Sequence, residues 1–363
     1  MKTAISRSKP DRASASRLVA LDYLRGFFIV VIIIDHLWRW PSLLSIFTGE
    51  GKLWVSAAEG FIIISGLLVG YIRGYKNRDE SLMVVSKKLL RRALLLYGWF
   101  VGMTLLYTVL IWYIPTASPQ PWVEITTGHW QELITLTLQM MNAHIWVHFL
   151  YLYAIFLALT PVTIWLFRRG AAYIVALLAL IGNFIGVQYD IEWLQWLPLF
   201  FLPAVAGYYL PTIQRWWSHQ TPRTRTRQSL ALYGITSAVL LLSAICTFII
   251  PDNSVAFFLN TLFSKEFALD LWRSLLALIC FVAFALAFNR TLPWLERWTK
   301  WLLLPLGHRS LTAYIVHGFV IFLISFFFVE SANILYNTTL GIVAVAASLL
   351  LAQNRIIQKL IPR

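Results

Sequence analysis

The sequence predicts an all-α fold, a polytopic transmembrane bundle of about ten helices with both termini in the cytosol. Hydrophobic residues make up 59% of the 363-residue chain and charged residues 13%, a balance that excludes a water-soluble domain of this length. Apolar runs of roughly 20 residues, long enough to cross a bilayer, recur along the chain. Lys and Arg gather in alternate loops between them, as a multi-pass membrane protein requires.

Ten predicted spans account for most of the chain. In order they cover residues 18–40, 53–72, 90–114, 145–167, 172–188, 195–214, 229–250, 267–288, 310–329 and 338–353. One transmembrane domain over residues 18–353 therefore lies between cytosolic tails over residues 1–17 and 354–363. In the longest outer loop, a short amphipathic surface helix is predicted from Trp130 to Met141.

The positions of the 30 Lys and Arg residues set the predicted orientation. Most lie in the two tails or in loops that the ten spans place inside, whereas acidic residues such as Glu132 and Glu192 collect outside. The net charge of +14 therefore reports topology. A nucleic-acid-binding protein would cluster its basic residues on one folded domain, so we predict a cell-membrane protein with lipid neighbours and no nucleic-acid partner.

The first predicted span contains four ionisable residues, Asp22, Arg25, Asp35 and His36. Such groups are costly in hydrocarbon unless they pair or line a wet cavity. At about 100° per residue, Asp22, Arg25 and His36 share one helix face, and His36 lies roughly 16 Å outward of Arg25. This stripe favours a tunnel lining. The alternative is a structural Asp22–Arg25 ion pair, with His36 bonded to a neighbouring helix.

Three motifs resemble those of a known group of membrane enzymes. They are Arg17 followed by Leu21-Asp22, Leu24-Arg25-Gly26 and His36; AEGFIIISG at residues 58–66; and LGHRSLTAYIVH at residues 306–317. Together they are similar to the acyltransferase-3 superfamily. The Glu-Gly-Phe sequence in the second motif resembles the variant found in its OpgC-type branch, the glucan succinyltransferases.

This resemblance implies an acyl-CoA donor bound from the cytosol, with no tightly bound cofactor, and a tunnel through the protein. It also implies transfer of the acyl group, acetyl or succinyl, to an acceptor at the outer face, a glycan or a lipid-linked sugar. The histidine matching His36 would be the catalytic residue, and the arginine matching Arg25 would support the donor.

The residues themselves are compatible with acyl transfer, which needs a base to deprotonate the acceptor hydroxyl. Histidine is the usual base near neutral pH. A carboxylate often orients a catalytic imidazole, and two candidates for that role are Asp35, beside His36, and Glu59 in the second span. For Glu59 the alternative is an intramembrane ion pair with Arg273.

Further predicted contacts divide between the two sides of the membrane. On the inner side, the predicted donor-binding residues are Arg25, Asp22, Arg91 and Arg92. On the outer side or within the cavity, the predicted acceptor contacts are Arg273, His144, His148 and His317. His144 and His148 have the i, i+4 spacing of two metal ligands, but no third ligand presents itself, so no metal is predicted.

The main rival function is a transporter or flippase of a glycan or lipid-linked substrate, which would also bury ionisable residues within its spans. It predicts matching Gly- or Pro-interrupted helices in two halves. Pro198 and Pro203 in the sixth span have no clear counterpart, and the first-helix motif would stay unexplained. The sequence leaves open whether the protein forms a homodimer.

Overall fold

The computed structural model describes residues 12–118, 124–263 and 269–361, with side chains from residue 19 onward. This part of the chain forms helices and no strand, which confirms the predicted all-α class. Arg17 of the first motif lies in a helix, but its side chain is outside the described set.

The α-helices follow one another closely along the chain. In order they are α1 (Arg12–Leu37), α2 (Ser45–Thr48), α3 (Ala57–Val69), α4 (Leu82–Tyr113), α5 (Trp130–Leu138), α6 (His148–Arg168), α7 (Ala172–Gln188), α8 (Glu192–Gln195), α9 (Leu197–Tyr208), α10 (Leu210–His219), α11 (Pro222–Ala244), α12 (Ser254–Phe263), α13 (Leu271–Arg290), α14 (Leu292–Trp298), α15 (Lys300–His308), α16 (Ser310–Phe327), α17 (Ile334–Gln353) and α18 (Arg355–Leu360). A 3₁₀ turn covers Gly49–Gly51, and π-helical turns extend α3 over Gly70–Lys76 and α11 over Ile245–Ile249.

Each of the ten predicted spans coincides with one of these helices or with a consecutive pair. Within the described residues, seven helical segments are long and apolar enough to cross a membrane, and one bent pair makes an eighth candidate. The seven are Ala57–Lys76, Leu82–Tyr113, His148–Arg168, Pro222–Ile249, Leu271–Arg290, Ser310–Phe327 and Ile334–Gln353. A polytopic bundle is therefore confirmed, while the count of ten and the cytosolic termini stay predictions.

Three of the ten predicted spans are not among these seven segments, and each has a physical reason. α1 is 26 residues long, but its apolar run contains Asp22, Arg25 and Asp35. α7 has only 17 residues. The sixth predicted span bends by 66° between Tyr208 and Leu210, directly before Pro211, whose ring disfavours helical geometry in the residue that precedes it.

α1 lies inside the bundle, in contact with α3, α13, α15, α16 and α17. Its contact with α15 is made by backbone. A Cβ added to Gly26 would lie 2.0 Å from the carbonyl oxygen of Leu303, and one added to Gly307 would lie 1.9 Å from that of Asp22. Only glycine permits this approach, so the helix that carries His36 is held directly against α15.

The most and least enclosed spans are α16 and α11. In the most apolar stretch of α16, 72% of the residues are buried, whereas in that of Pro222–Ile249 only 17% are buried. A helix with so little protein around it presents apolar side chains to lipid. The buried core includes side chains of α1, α3, α6 and α16.

The predicted surface helix is present as α5, which begins at Trp130 and ends three residues before the predicted Met141. Met140 has a φ of 60°, a left-handed conformation that a helix cannot continue through. Leu133 is buried and Trp130 exposed, as expected for an amphipathic helix lying on a surface.

Candidate active site

Two histidines from different helices meet inside the bundle. His36 lies at the end of α1 and His317 in α16, and their Nδ1 and Nε2 atoms are 2.7 Å apart. The His317 side chain is wholly buried and His36 is partly buried. On its other side, Nδ1 of His317 is hydrogen-bonded to the carbonyl oxygen of Tyr314 in the same helix. His317, predicted as an acceptor contact, is therefore the partner of His36.

Aromatic side chains hold this histidine pair in place. The ring of Tyr314 is 6.5 Å from that of His36, and its hydroxyl accepts a hydrogen bond of 3.3 Å from the backbone N–H of Phe149. The hydroxyl of Tyr107 donates to the carbonyl oxygen of Ile315 at 3.0 Å. Helices α4, α6 and α16 are thus joined by hydrogen bonds beside the pair.

Arg25 and Arg92 line one small cavity of about 60 Å³, together with Ser65, Tyr153 and Tyr314. The guanidinium of Arg25 is 5.9 Å from the centre of the Phe61 ring. Its buried Nε finds no hydrogen-bond acceptor among the described residues. A cation in such a position favours an anionic or strongly polar group.

The other two predicted donor-binding residues are placed elsewhere. Oδ2 of Asp22 lies 3.2 Å from Nε2 of His308. Arg91 is exposed, because consecutive residues of α4 point about 100° apart. Neither lines the cavity around Arg25, so the structure groups Arg25 with Arg92 alone.

Glu59 and Arg273 form an ion pair, the alternative considered for Glu59. Both side chains are wholly buried. Nε of Arg273 donates to Oε1 of Glu59 at 2.6 Å, and Nη1 donates to the carbonyl oxygen of Phe263 at 2.9 Å. Oε2 of Glu59 accepts from the backbone N–H of Ser56 at 2.7 Å. These contacts support a structural pair and give no support to Glu59 orienting His36 or to Arg273 binding an acceptor.

Asp35 follows a different direction from His36, as neighbouring residues of one helix must. Its carboxylate faces the 3₁₀ turn, where a Cβ added to Gly51 would lie 3.5 Å from Oδ2. Gly51 has a φ of 68°. Asp35 therefore lies against the loop that leads into α3.

A second cavity, of about 260 Å³, lies where α6 begins. Its polar lining residues are Thr108, Glu124, Asn142, His144, His148, Tyr151 and Glu192. Nε2 of His148 is 2.8 Å from Oε1 of Glu192, and the Tyr151 hydroxyl donates to Oε2 of the same carboxylate. The cavity thus contains a carboxylate whose position is fixed by two side chains of α6.

His144 is 6% exposed at the wall of this cavity. Its Nδ1 accepts a hydrogen bond of 3.3 Å from the backbone N–H of Trp146, so the proton of the neutral ring is on Nε2. That buried Nε2 has no partner among the described residues. Burial lowers the pKa of His144 to about 3, with a further contribution from His317, and the ring therefore stays neutral.

A family model described as OpgC protein matches residues 17–358. The chain belongs to the OpgC family. This membership confirms the OpgC-type relationship, supports a membrane transferase, and suggests an acyltransferase-like function in glucan modification. The wider acyltransferase-3 relationship stays a prediction. No curated protein and no solved structure matches the chain.

Two features of this OpgC-family protein escaped the sequence analysis. One is the partnership of His36 with His317, although both residues lie in the motifs that carried the resemblance. The other is Glu192, which the sequence marked only as an acidic residue of an outer loop. Its contacts with His148 and Tyr151 span more than 40 residues, and no local pattern reports them.

Proposed function

We propose that this OpgC-family protein transfers an acyl group, acetyl or succinyl, from cytosolic acyl-CoA to a hydroxyl of a glycan or other envelope acceptor at the outer face of the cell membrane. The observation that carries this proposal is the histidine pair formed by α1 and α16. Arg25, on the same helix as His36, lines a separate cavity. A base enclosed in the bundle, with one cavity lined by arginines and another lined by polar side chains nearby, suits transfer of an acyl group from one side of the membrane to the other.

Arg25 and Arg92 are the proposed donor contacts. Arg25 lies roughly 16 Å along α1 from His36, by the helical rise, a length similar to that of an extended pantetheine arm. A cavity of about 60 Å³ is too narrow for a nucleotide. The nucleotide part of the donor would therefore stay at the basic surface formed by the first turns of α4, where Arg91 is exposed.

The proposed reaction uses His36 as a base. It takes the proton of the acceptor hydroxyl as the oxygen attacks the thioester carbonyl, so a C–O bond forms. The C–S bond then breaks, and His36 returns the proton to the departing CoA thiolate. A transient acyl group on His36 would serve the same overall exchange, and both routes need a nitrogen lone pair at this position.

The cavity around Glu192 is the proposed acceptor side. Its carboxylate, the imidazoles of His144 and His148 and the hydroxyl of Tyr151 supply donors and acceptors for the hydroxyl groups of a sugar. The unpartnered Nε2–H of His144 is a buried donor that an acceptor oxygen would satisfy.

The experiment is a measurement of CoA release by the purified protein in nanodiscs. Acetyl-CoA and succinyl-CoA are supplied with and without an extract of envelope glycans. The variants are His36→Ala and, as a matched control, His219→Ala, which changes an exposed histidine at the end of α10. Glycan-dependent release that His36→Ala abolishes and His219→Ala retains would support the proposal.

Absence of both CoA binding and CoA release would overturn the proposal. Glycan or lipid-linked sugar movement across proteoliposomes, without any thioester cleavage, would assign the protein to the transporter or flippase class instead.

A further inference from the structure

We propose that His317 is a positioning residue that fixes the tautomer of His36, with the proton on Nδ1 and the lone pair on Nε2. The structural part of this inference stands on the hydrogen bonds around the pair. Its consequence for catalysis rests on the acyl transfer proposed above. The assignment replaces the carboxylate that usually orients a catalytic imidazole with a second imidazole.

The first step concerns the proton of His317. Its Nδ1 is hydrogen-bonded to the carbonyl oxygen of Tyr314. A carbonyl oxygen has no proton to give, so Nδ1 of His317 must be the donor. In the neutral ring, Nε2 is then an acceptor.

The second step transfers this constraint to His36. Nε2 of His317 and Nδ1 of His36 are 2.7 Å apart, so one of them must donate to the other. His317 is wholly buried in α16, where a positive charge is costly without a partner. A neutral His317 can only accept here. Nδ1 of His36 therefore carries the proton, and its lone pair is on Nε2.

The third step is chemical. In water a neutral histidine prefers the other tautomer, with the proton on Nε2, which would turn the remote nitrogen of His36 into a donor. Contact with His317 reverses this preference and presents Nε2 as the proton acceptor. When His36 is protonated during transfer, its Nδ1–H bond to His317 becomes charge-assisted and shorter.

A neutral partner also has a different effect from a carboxylate. Asp or Glu at this position would form an ion pair with the imidazolium and retain the proton. His317 stabilises the imidazolium only by accepting a hydrogen bond, so the proton is returned more readily to the leaving thiolate. The pair thus combines a fixed orientation with a base of moderate strength.

The decisive experiment reads the tautomer without using activity. The protein contains seven histidines; with ¹³C and ¹⁵N in their rings, solid-state NMR in nanodiscs separates Nδ1–H from Nε2–H rings. The His36 signals are assigned by their loss in His36→Gln. We expect the Nδ1–H form in the native protein and the Nε2–H form in His317→Met. An Nε2–H ring in the native protein, or no change in His317→Met, would overturn the inference.

His317→Gln is the matched control, because the oxygen of its amide can accept a hydrogen bond near the position of Nε2. It should keep the Nδ1–H tautomer of His36 and most of the turnover. His317→Met should lower kcat by up to about 10⁴-fold, the loss that a wrong tautomer produces in serine proteases, with the KM for acyl-CoA changed less than about threefold.

Failure of the inference and failure of the proposed function give different results. If the protein transfers no acyl group, the NMR result still reports whether His317 sets the tautomer. If it transfers acyl groups but His317→Met retains both turnover and the native KM, His317 has no positioning role. Size-exclusion profiles of the variants in nanodiscs exclude misfolding as the cause of a lost signal.

Discussion

Glu59–Arg273 and His36–His317 are two of the ionisable pairs that join helices in this protein, and they differ in their chemistry. Glu59 and Arg273 carry opposite charges, are wholly buried and are further bonded to backbone groups at Ser56 and Phe263. In the second pair, Nδ1 of His36 faces Nε2 of His317 at 2.7 Å, and Nδ1 of His317 is hydrogen-bonded to the carbonyl oxygen of Tyr314. Opposite charges stabilise the first pair, whereas in the proposed reaction the second pair exchanges a proton with the substrates.

This difference shows that an ionisable residue within a span does not by itself indicate a catalytic group. Charge within hydrocarbon must be compensated, and compensation is all that the contacts of Glu59 provide. A functional group needs a defined position and a remaining capacity to bind a proton or a ligand. The histidine pair has a defined position, and the proposed tautomer of His36 would supply the capacity to accept a proton.

The largest expected effect comes from breaking the pair of His36 and His317. His36→Gln preserves size and polarity but removes the proton acceptor, so we expect acyl transfer to fall by about 10²- to 10⁴-fold. CoA release measured with glycan acceptor checks this. The folded yield should stay at the native level, and unchanged transfer by His36→Gln would remove His36 from the reaction.

Breaking the ion pair of Glu59 and Arg273 should lower the stability of the fold instead. Glu59→Ala leaves the Arg273 guanidinium buried without its carboxylate, a change that typically costs about 3–5 kcal/mol. We expect aggregation or a large fall in the thermal midpoint measured in nanodiscs. The double variant Glu59→Leu with Arg273→Met should recover much of that loss, since neither charge remains. A single variant as stable as the native protein would contradict this assignment.

A smaller effect is expected from removing the Arg25 charge, which is proposed to contact the donor. Arg25→Gln should raise the KM for acyl-CoA about tenfold, because one charge-assisted contact contributes roughly 1.5–3 kcal/mol, with a smaller change in kcat. Arg227→Gln, which changes an exposed arginine of α11, is the matched control. Equal effects of the two variants would indicate general surface charge rather than the cavity that Arg25 and Arg92 share.

On the acceptor side, Glu192→Gln should lower kcat/KM for the glycan by about tenfold through loss of a charged hydrogen-bond acceptor. The KM for acyl-CoA should stay the same. Initial rates at varied glycan concentration distinguish the two parameters. A change only in the KM for acyl-CoA would show that the Glu192 cavity binds the donor and not the acceptor.

The smallest effect concerns pH. Because burial holds the pKa of His144 near 3, this ring is neutral from pH 5.5 to pH 8.5 and contributes no titration to the rate. His144→Gln should therefore lower the rate by a similar factor at every pH in this range. A variant that shifts the pH–rate profile would show that His144 is protonated in the native protein.

The sequence predicted the positions of the helices better than their partners. Hydropathy alone located the ten segments, and the spacing within α1 put Arg25 and His36 on one face. The contact between His36 and His317 joins residues 281 positions apart, and the Asp22–His308 contact is equally remote. Hydropathy sets which residues enter the membrane but not how each helix is rotated or which helix lies next to it. Those choices depend on packing, such as the close approach at Gly26.

The backbone contact between α1 and α15 bears on how two substrates could reach one histidine. A transporter changes the side to which its site opens, and this requires rocking of one helical bundle against another. Where Gly26 and Gly307 bring two backbones together, sliding of either helix would force a Cα or a carbonyl oxygen into its neighbour. The helix that carries His36 is therefore expected to move only together with α15, and in the proposed reaction the acyl group passes His36 while these two helices keep their contact.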